Sequence, residues 1–184
     1  MANEEDDPLI NLATLLLHTA MGCSEYFEKN CGHILDSERF GQVVREFLFV
    51  FMHFIDRYSC EMYGDQTRNR VTDSLVYCLD LILHEDLGKF KATDQIGSGI
   101  TSSRGIDVES LSNRNIEYAM FRSGKSSKEA EEAMNGLSSS FGSHLSQIAR
   151  GIPHDLTCRD LGTKLLAYSL DKLDLENQLL KFRA

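Results

Sequence analysis

Tryptophan is absent from this chain of 184 residues, proline occurs only twice, and none of its five cysteines forms a CxxC pair. Without CxxC spacing, the usual zinc and dithiol redox motifs are excluded. Cys23, Cys31, Cys60, Cys78 and Cys158 are odd in number and far apart, so they read as free, buried thiols. A reducing cytoplasm is the expected compartment. No apolar run approaches the roughly 20 residues that span a bilayer. The first residues are acidic, and no cleavage-site pattern follows Leu15-Leu16-Leu17, which argues against a signal peptide. Alternating strand patterns bounded by hairpin turns are missing as well, so a sheet has no sequence support.

Positive charge is in short supply, with 19 Lys and Arg against 28 Asp and Glu for a net charge of −9. Glu4, Glu5, Asp6 and Asp7 concentrate the negative charge at the start. This balance argues against nonspecific binding to nucleic acid or to anionic membrane surfaces. With 42% hydrophobic and 26% charged residues the chain has an ordinary globular mix and is long enough to bury a core. One domain over residues 1–184 is expected, with 1–7 a flexible acidic N-terminus.

What is present is helical periodicity. From Pro8, the residues Leu9, Leu12, Leu16, Ala20, Cys23 and Phe27 recur at helical spacing, with Asp6 or Asp7 as cap and Pro in the first turn. Ser37 is the expected N-cap of a second helix, whose broad stripe runs Phe40, Val44, Phe47, Phe51, Phe54, Tyr58 and Met62, and Gly64 closes it. A third follows the Gly64-Asp65 turn, carrying Val71, Leu75, Leu79 and Ile82 to about Leu87. The segment 91–106, with Gly97-Ser-Gly99 and Ser102-Ser-Arg-Gly105, has the turn chemistry of a long loop. Beyond it lie a short helix from Val108 to about Arg122, one opened by the Ser126/Glu129 capping box, and one continuous helix from about Leu156 to Phe182. His154-Asp155 directly follows Pro153 at a helix start, where Asp155 serves as a cap. The fold class is therefore all-α, a bundle of five or six helices with a long Gly/Ser-containing loop in the middle.

The most informative stretch is Phe47-Leu-Phe-Val-Phe-Met-His-Phe-Ile55, apolar except for His53. A run of this kind is buried nearly all round and marks the central helix. Phe49 and Met52 project to the side of Arg45, His53 and Asp56, so that side needs a cover: another helix of the chain, a second copy, or an apolar ligand. Glu46, Phe49, His53, Asp56 and Arg57 are thus the candidate ligand-binding residues. If the chain covers them itself, Glu46, His53, Asp56 and Arg57 anchor a buried polar cluster, since buried charges need partners.

A second constellation raises metal chemistry. Each of the first three helices has a polar stripe with a histidine and a carboxylate, and His53/Asp56 and Asp80/His84 stand three or four apart, as ligands on one helix face do. His18, His53, Asp56, Asp80 and His84 are the candidate ligands of a divalent metal. The doubled Glu-x-x-His spacing of bundle di-metal sites is absent, and the stripes also suit the solvent faces of amphipathic helices. Gly97-Ser-Gly99 with Arg104 lacks the preceding strand of a phosphate loop. The favoured expectation is a noncatalytic cytoplasmic helical protein that binds a protein or a small apolar ligand, as a homodimer and without a cofactor. The alternative is a metal-dependent bundle enzyme with its site on helices one to three.

Overall fold

The computed structural model describes residues 7–90, 108–121, 127–152 and 154–182, excepting the side chains of 83–90, 108 and 127. The expected loop at 91–106, the start of the acidic N-terminus and the Ser126 cap therefore fall outside the described residues. Seven helical segments account for nearly all of those residues: α1 Pro8–Asn30, α2 Ser37–Tyr63, α3 Asp65–Phe90, α4 Val108–Ala119, α5 Ser127–Arg150, α6 Leu156–Leu173 and α7 Leu175–Leu180. The all-α bundle expected from periodicity is what the chain forms, and no strand occurs among the described residues.

Helix boundaries follow local chemistry. The Asp7 carboxylate accepts from the Leu9 amide at 2.8 Å, and Pro8 fills the first turn, where its missing N–H costs nothing. In α2 the cap is Asp36 rather than Ser37, with Arg39 N–H donating to it at 2.8 Å. An aspartate one residue earlier satisfies the same orphan donor and adds negative charge at the positive helix end. Gly64 ends α2 with φ +75°, and α3 begins at the next residue. Asp155 caps α6 by accepting from Cys158 N–H at 3.0 Å.

The last helix is not continuous. Asp174 adopts φ 45°, ψ 50°, the left-handed region, and splits the expected helix into α6 and α7. Leucines recur at helical spacing on both sides of the break, so periodicity alone reads through it. The turn brings α7 back onto α2, where Leu175 and Leu179 are buried and the Tyr63 hydroxyl donates to the Leu179 carbonyl at 2.5 Å.

α2 is the axis of the bundle, in contact with α1, α3, α4, α5 and α7. Every side chain from Phe47 to His53 is buried on it, as the apolar run demands. The side bearing Phe49 and Met52 is covered by the chain's own helices, since both are buried in the single chain. Burial of Leu166, Leu173, Leu175 and Leu179 does the same for the C-terminal leucines. The surface that motivated a homodimer is therefore largely used up inside one chain. The tightest pairing joins α5 and α6, which cross at Gly142 and Gly162. A Cβ on Gly142 would stand 2.5 Å from the Arg159 carbonyl oxygen, so only glycine permits the approach.

Candidate functional site

Glu46 lies in the middle of α2 with 3% of its surface exposed, and a buried carboxylate has to be paired. Its partners come from far along the chain. The Tyr118 hydroxyl of α4 donates to Oε1, Arg114 Nε of α4 reaches Oε2 at 3.2 Å, and His144 Nδ1 of α5 stands 2.9 Å from Oε1. Glu117, one turn along α4 from Arg114, closes the ring. Its carboxylate meets Arg114 Nη1 at 2.9 Å, His144 Nε2 at 2.9 Å and the Ser140 hydroxyl at 2.7 Å. These six side chains fasten α4 to α2 and α5.

Glu46 and Glu117 bring two carboxylates to the cluster and Arg114 one guanidinium, with the His144 ring between the carboxylates and its Nε2 also 3.1 Å from Arg114 Nη1. Burial alone would push the Glu46 carboxyl up, but the hydrogen bond and charge of His144, the Arg114 guanidinium and the Tyr118 hydroxyl outweigh it. The carboxyl is held below its ordinary value of 4.5. Burial, and then the neighbouring Glu46 carboxylate, push the Tyr118 phenol well above 10. Tyr118 is thus a fixed neutral donor.

The arrangement contains the donor types of a metal site without its geometry. The imidazole stands between the carboxylates with each nitrogen on a different one, so the three do not converge on one point, and the guanidinium already occupies the place of a cation. Among the described residues no group of three or more His, Cys, Asp and Glu is suited to hold a metal ion. Of the proposed ligands, His18 is exposed on α1, His53 is buried on α2, Asp56 is engaged by Arg68, and Asp80 lies on α3. The His84 side chain lies outside the described residues. Spacing along the chain projects each helix singly, whereas His18 and His53 differ in burial.

Next to the cluster, on the other side of α4, a cleft of about 690 Å³ opens between the C-terminal half of α2, the start of α3 and α4. His53, Asp56 and Arg57 line it, as do Arg68 of α3 and Asn115 of α4. Arg68 grips Asp56 with two prongs, Nε at 2.6 Å and Nη2 at 3.0 Å, and thereby cancels its charge. His53 packs edge-on against Tyr118, ring centroids 5.7 Å apart, so the cleft and the cluster share a wall. Burial first, and the positive charge of Arg57 second, hold the His53 imidazole below its ordinary value of 6.5 against the opposing pull of Asn115 and Asp56. A second hollow of about 220 Å³ lies between α2 and α5, lined by Phe54, Tyr58, Phe121, Met134 and Leu137. His53, Arg57 and Glu61 border both.

Of the residues singled out from the sequence, Glu46 belongs to the buried cluster and His53, Asp56 and Arg57 to the cleft, while Phe49 is core. Arg114, Glu117, Tyr118 and His144 escaped the sequence reading. The signal they did leave is the weak apolar stripe of α4: its inward positions Leu111, Arg114 and Tyr118 follow helical spacing, but two of the three are polar. Burial raises the Cys23 thiol to about 11 and the Cys158 thiol to about 12, away from the activated range. Compared with protein-family models, curated proteins and solved structures, the chain finds no match.

Proposed function

We propose that this all-α protein is a noncatalytic binding protein whose ligand seat is the cleft between α2 and α4. The carrying observation is a division of labour across α4. The groups capable of proton transfer, Glu46, Glu117, His144 and Tyr118, are spent on one another. The cleft instead pairs open volume with polar groups set among apolar ones, Leu111 and Ile116 beside His53, Arg57 and Asn115. That combination suits binding and orientation of a small molecule. The test is a small-molecule fragment screen on the labelled protein, read by amide shifts. Hits clustered on residues 53–61 and 111–119 support the seat, whereas hits confined to other faces sink it.

Self-association is a second reading with its own observation. Tyr77 and Leu81, four apart on α3, are 64% and 43% exposed and form a short apolar strip. A homodimer through this strip predicts a dimer mass by light scattering at micromolar concentration, reduced to monomer by Leu81→Glu. A monomeric wild-type protein removes the reading.

A further inference from the structure

Arg57 occupies an unusual place. It borders both the polar cleft and the apolar hollow, and it makes no ion pair among the described residues, whereas the neighbouring Arg68 is neutralised by Asp56. Glu61, one turn further along α2, is exposed, borders both hollows and makes no ion pair among the described residues. Asp56 and Arg68 cancel, so Arg57 is the guanidinium left beside the two hollows, with the exposed Glu61 carboxylate on the same lining. An arginine without an acid is a fork of donors awaiting a planar or tetrahedral oxyanion. His53 lies one turn earlier on the same helix face and borders both hollows as well.

The two hollows give the occupant its shape. On the α4 side, Arg57 faces the larger, polar space. On the α5 side it faces a narrower space walled by Phe54, Tyr58, Phe121, Met134 and Leu137. Phe121 is seated there by a close approach: a Cβ on Gly136 of α5 would meet its ring at 2.5 Å, so glycine makes room for the aromatic wall. A ligand spanning both spaces has an apolar body on the α5 side and its charge at Arg57. From this juxtaposition we propose that the cleft takes an amphiphilic organic anion, its carboxylate or phosphate on Arg57 and its hydrocarbon part against Phe54, Tyr58 and Phe121. The proposal rests on the ligand-seat reading above and adds to it the charge and shape of the ligand.

The experiment titrates the full chain with sodium decanoate, decyl phosphate, 1-decanol and sodium acetate below the aggregation threshold of each, by calorimetry and amide shifts. Decanoate or decyl phosphate is expected to bind and to shift amides of residues 54–61, 119–121 and 133–137. Arg57→Gln should weaken that binding at least tenfold, and Arg57→Lys should restore most of it. Unchanged helicity and melting temperature in both variants would show that the loss is local, as expected for a side chain without an ion pair. Decanol binding as tightly as decanoate, or undiminished decanoate binding to Arg57→Gln, overturns the anion while leaving the ligand seat standing. Acetate binding as well as decanoate overturns the apolar body. Failure of all four probes, with fragments still mapping to the cleft, overturns the amphiphile alone, and failure of the fragments too removes the seat.

Discussion

The Tyr118 hydroxyl on α4 donates to Glu46 Oε1 on α2 across a separation of 72 residues, with the two side chains 0% and 3% exposed. A pairing this distant and this buried acts as a rivet. α4 has few apolar anchors, since Leu111 and Tyr118 are buried while Ile116, and Met120 just beyond the helix, are 66% and 74% exposed. Its position on α2 therefore depends on polar contacts to a degree the other helices do not share. Because α4 is also a wall of the cleft, the same contacts define the candidate ligand seat.

The first prediction is that Glu46→Gln destabilises the protein by about 2–3 kcal/mol in urea denaturation. Removing one partner of a fully buried ion pair costs roughly 3–5 kcal/mol, and Arg114 is a third exposed, so water softens the loss. Truncating Tyr118 to Phe should cost less, about 1–2 kcal/mol, because it removes a single hydrogen bond to a charged group and keeps the ring. Equal, near-zero effects for both would mean that α4 is held by packing alone.

The pH dependence of stability follows from the same groups. His53 has its pKa lowered in the folded state, so only the unfolded chain takes up its proton just below 6.5, and stability declines as pH falls from there through the folded value. Glu46 is also lowered: its contribution is complete above 4.5 and is lost as pH falls below that. Tyr118 is raised, so its contribution is complete below 10 and is lost as pH climbs beyond it. Thermal melts should show loss starting near neutrality, steepening in acid, and a separate alkaline loss. In His53→Phe the decline between pH 6.5 and 4.5 should shrink and the acid limb below it persist. An unchanged profile in that variant would contradict the assignment.

How much of this was legible in the sequence depends on the range of the interactions concerned. α1, α2 and α3 are set by periodicity and by neighbours such as Asp7, Pro8 and Gly64, so a window of a few residues contains the whole signal. The Glu46 cluster unites residues 68, 72 and 98 positions apart, on helices whose mutual orientation no local pattern specifies. The kink at Asp174 was hidden for a different reason. Its neighbours are leucines in good helical register, and the break is imposed by the return of α7 onto α2. Asp tolerates the left-handed region better than most residues, which lets it stand where glycine would have announced a turn.

Core packing supplies a third prediction. Phe51 is fully buried and contacts Phe47, ring centroids 6.0 Å apart, which itself meets Phe141 of α5 at 5.0 Å. Phe51→Ala should cost about 3–5 kcal/mol. Phe54, half-buried beside the smaller hollow, already faces open space, and Phe54→Ala should cost visibly less in the same denaturation experiment. The reverse order would show that the hollow is closed and Phe54 belongs to the core.

Glycines give the sharpest contrast, because the same substitution should have opposite signs at two sites. Gly22 sits on the exposed face of α1, where an added Cβ meets nothing within 4 Å. There Gly22→Ala improves helix propensity and trims the freedom of the unfolded chain, so stability should rise by about 0.5–1 kcal/mol. Gly142→Ala puts a methyl 2.5 Å from the backbone oxygen of Arg159, which cannot rotate aside, and 3.1 Å from Thr163 Oγ1. α5 and α6 must then separate, at a cost of about 1–3 kcal/mol from overpacking, more than any propensity gain returns. Chemical denaturation of the two single variants checks both signs. A Gly142→Ala protein as stable as the wild type would mean that the α5–α6 crossing is looser than its two glycines indicate.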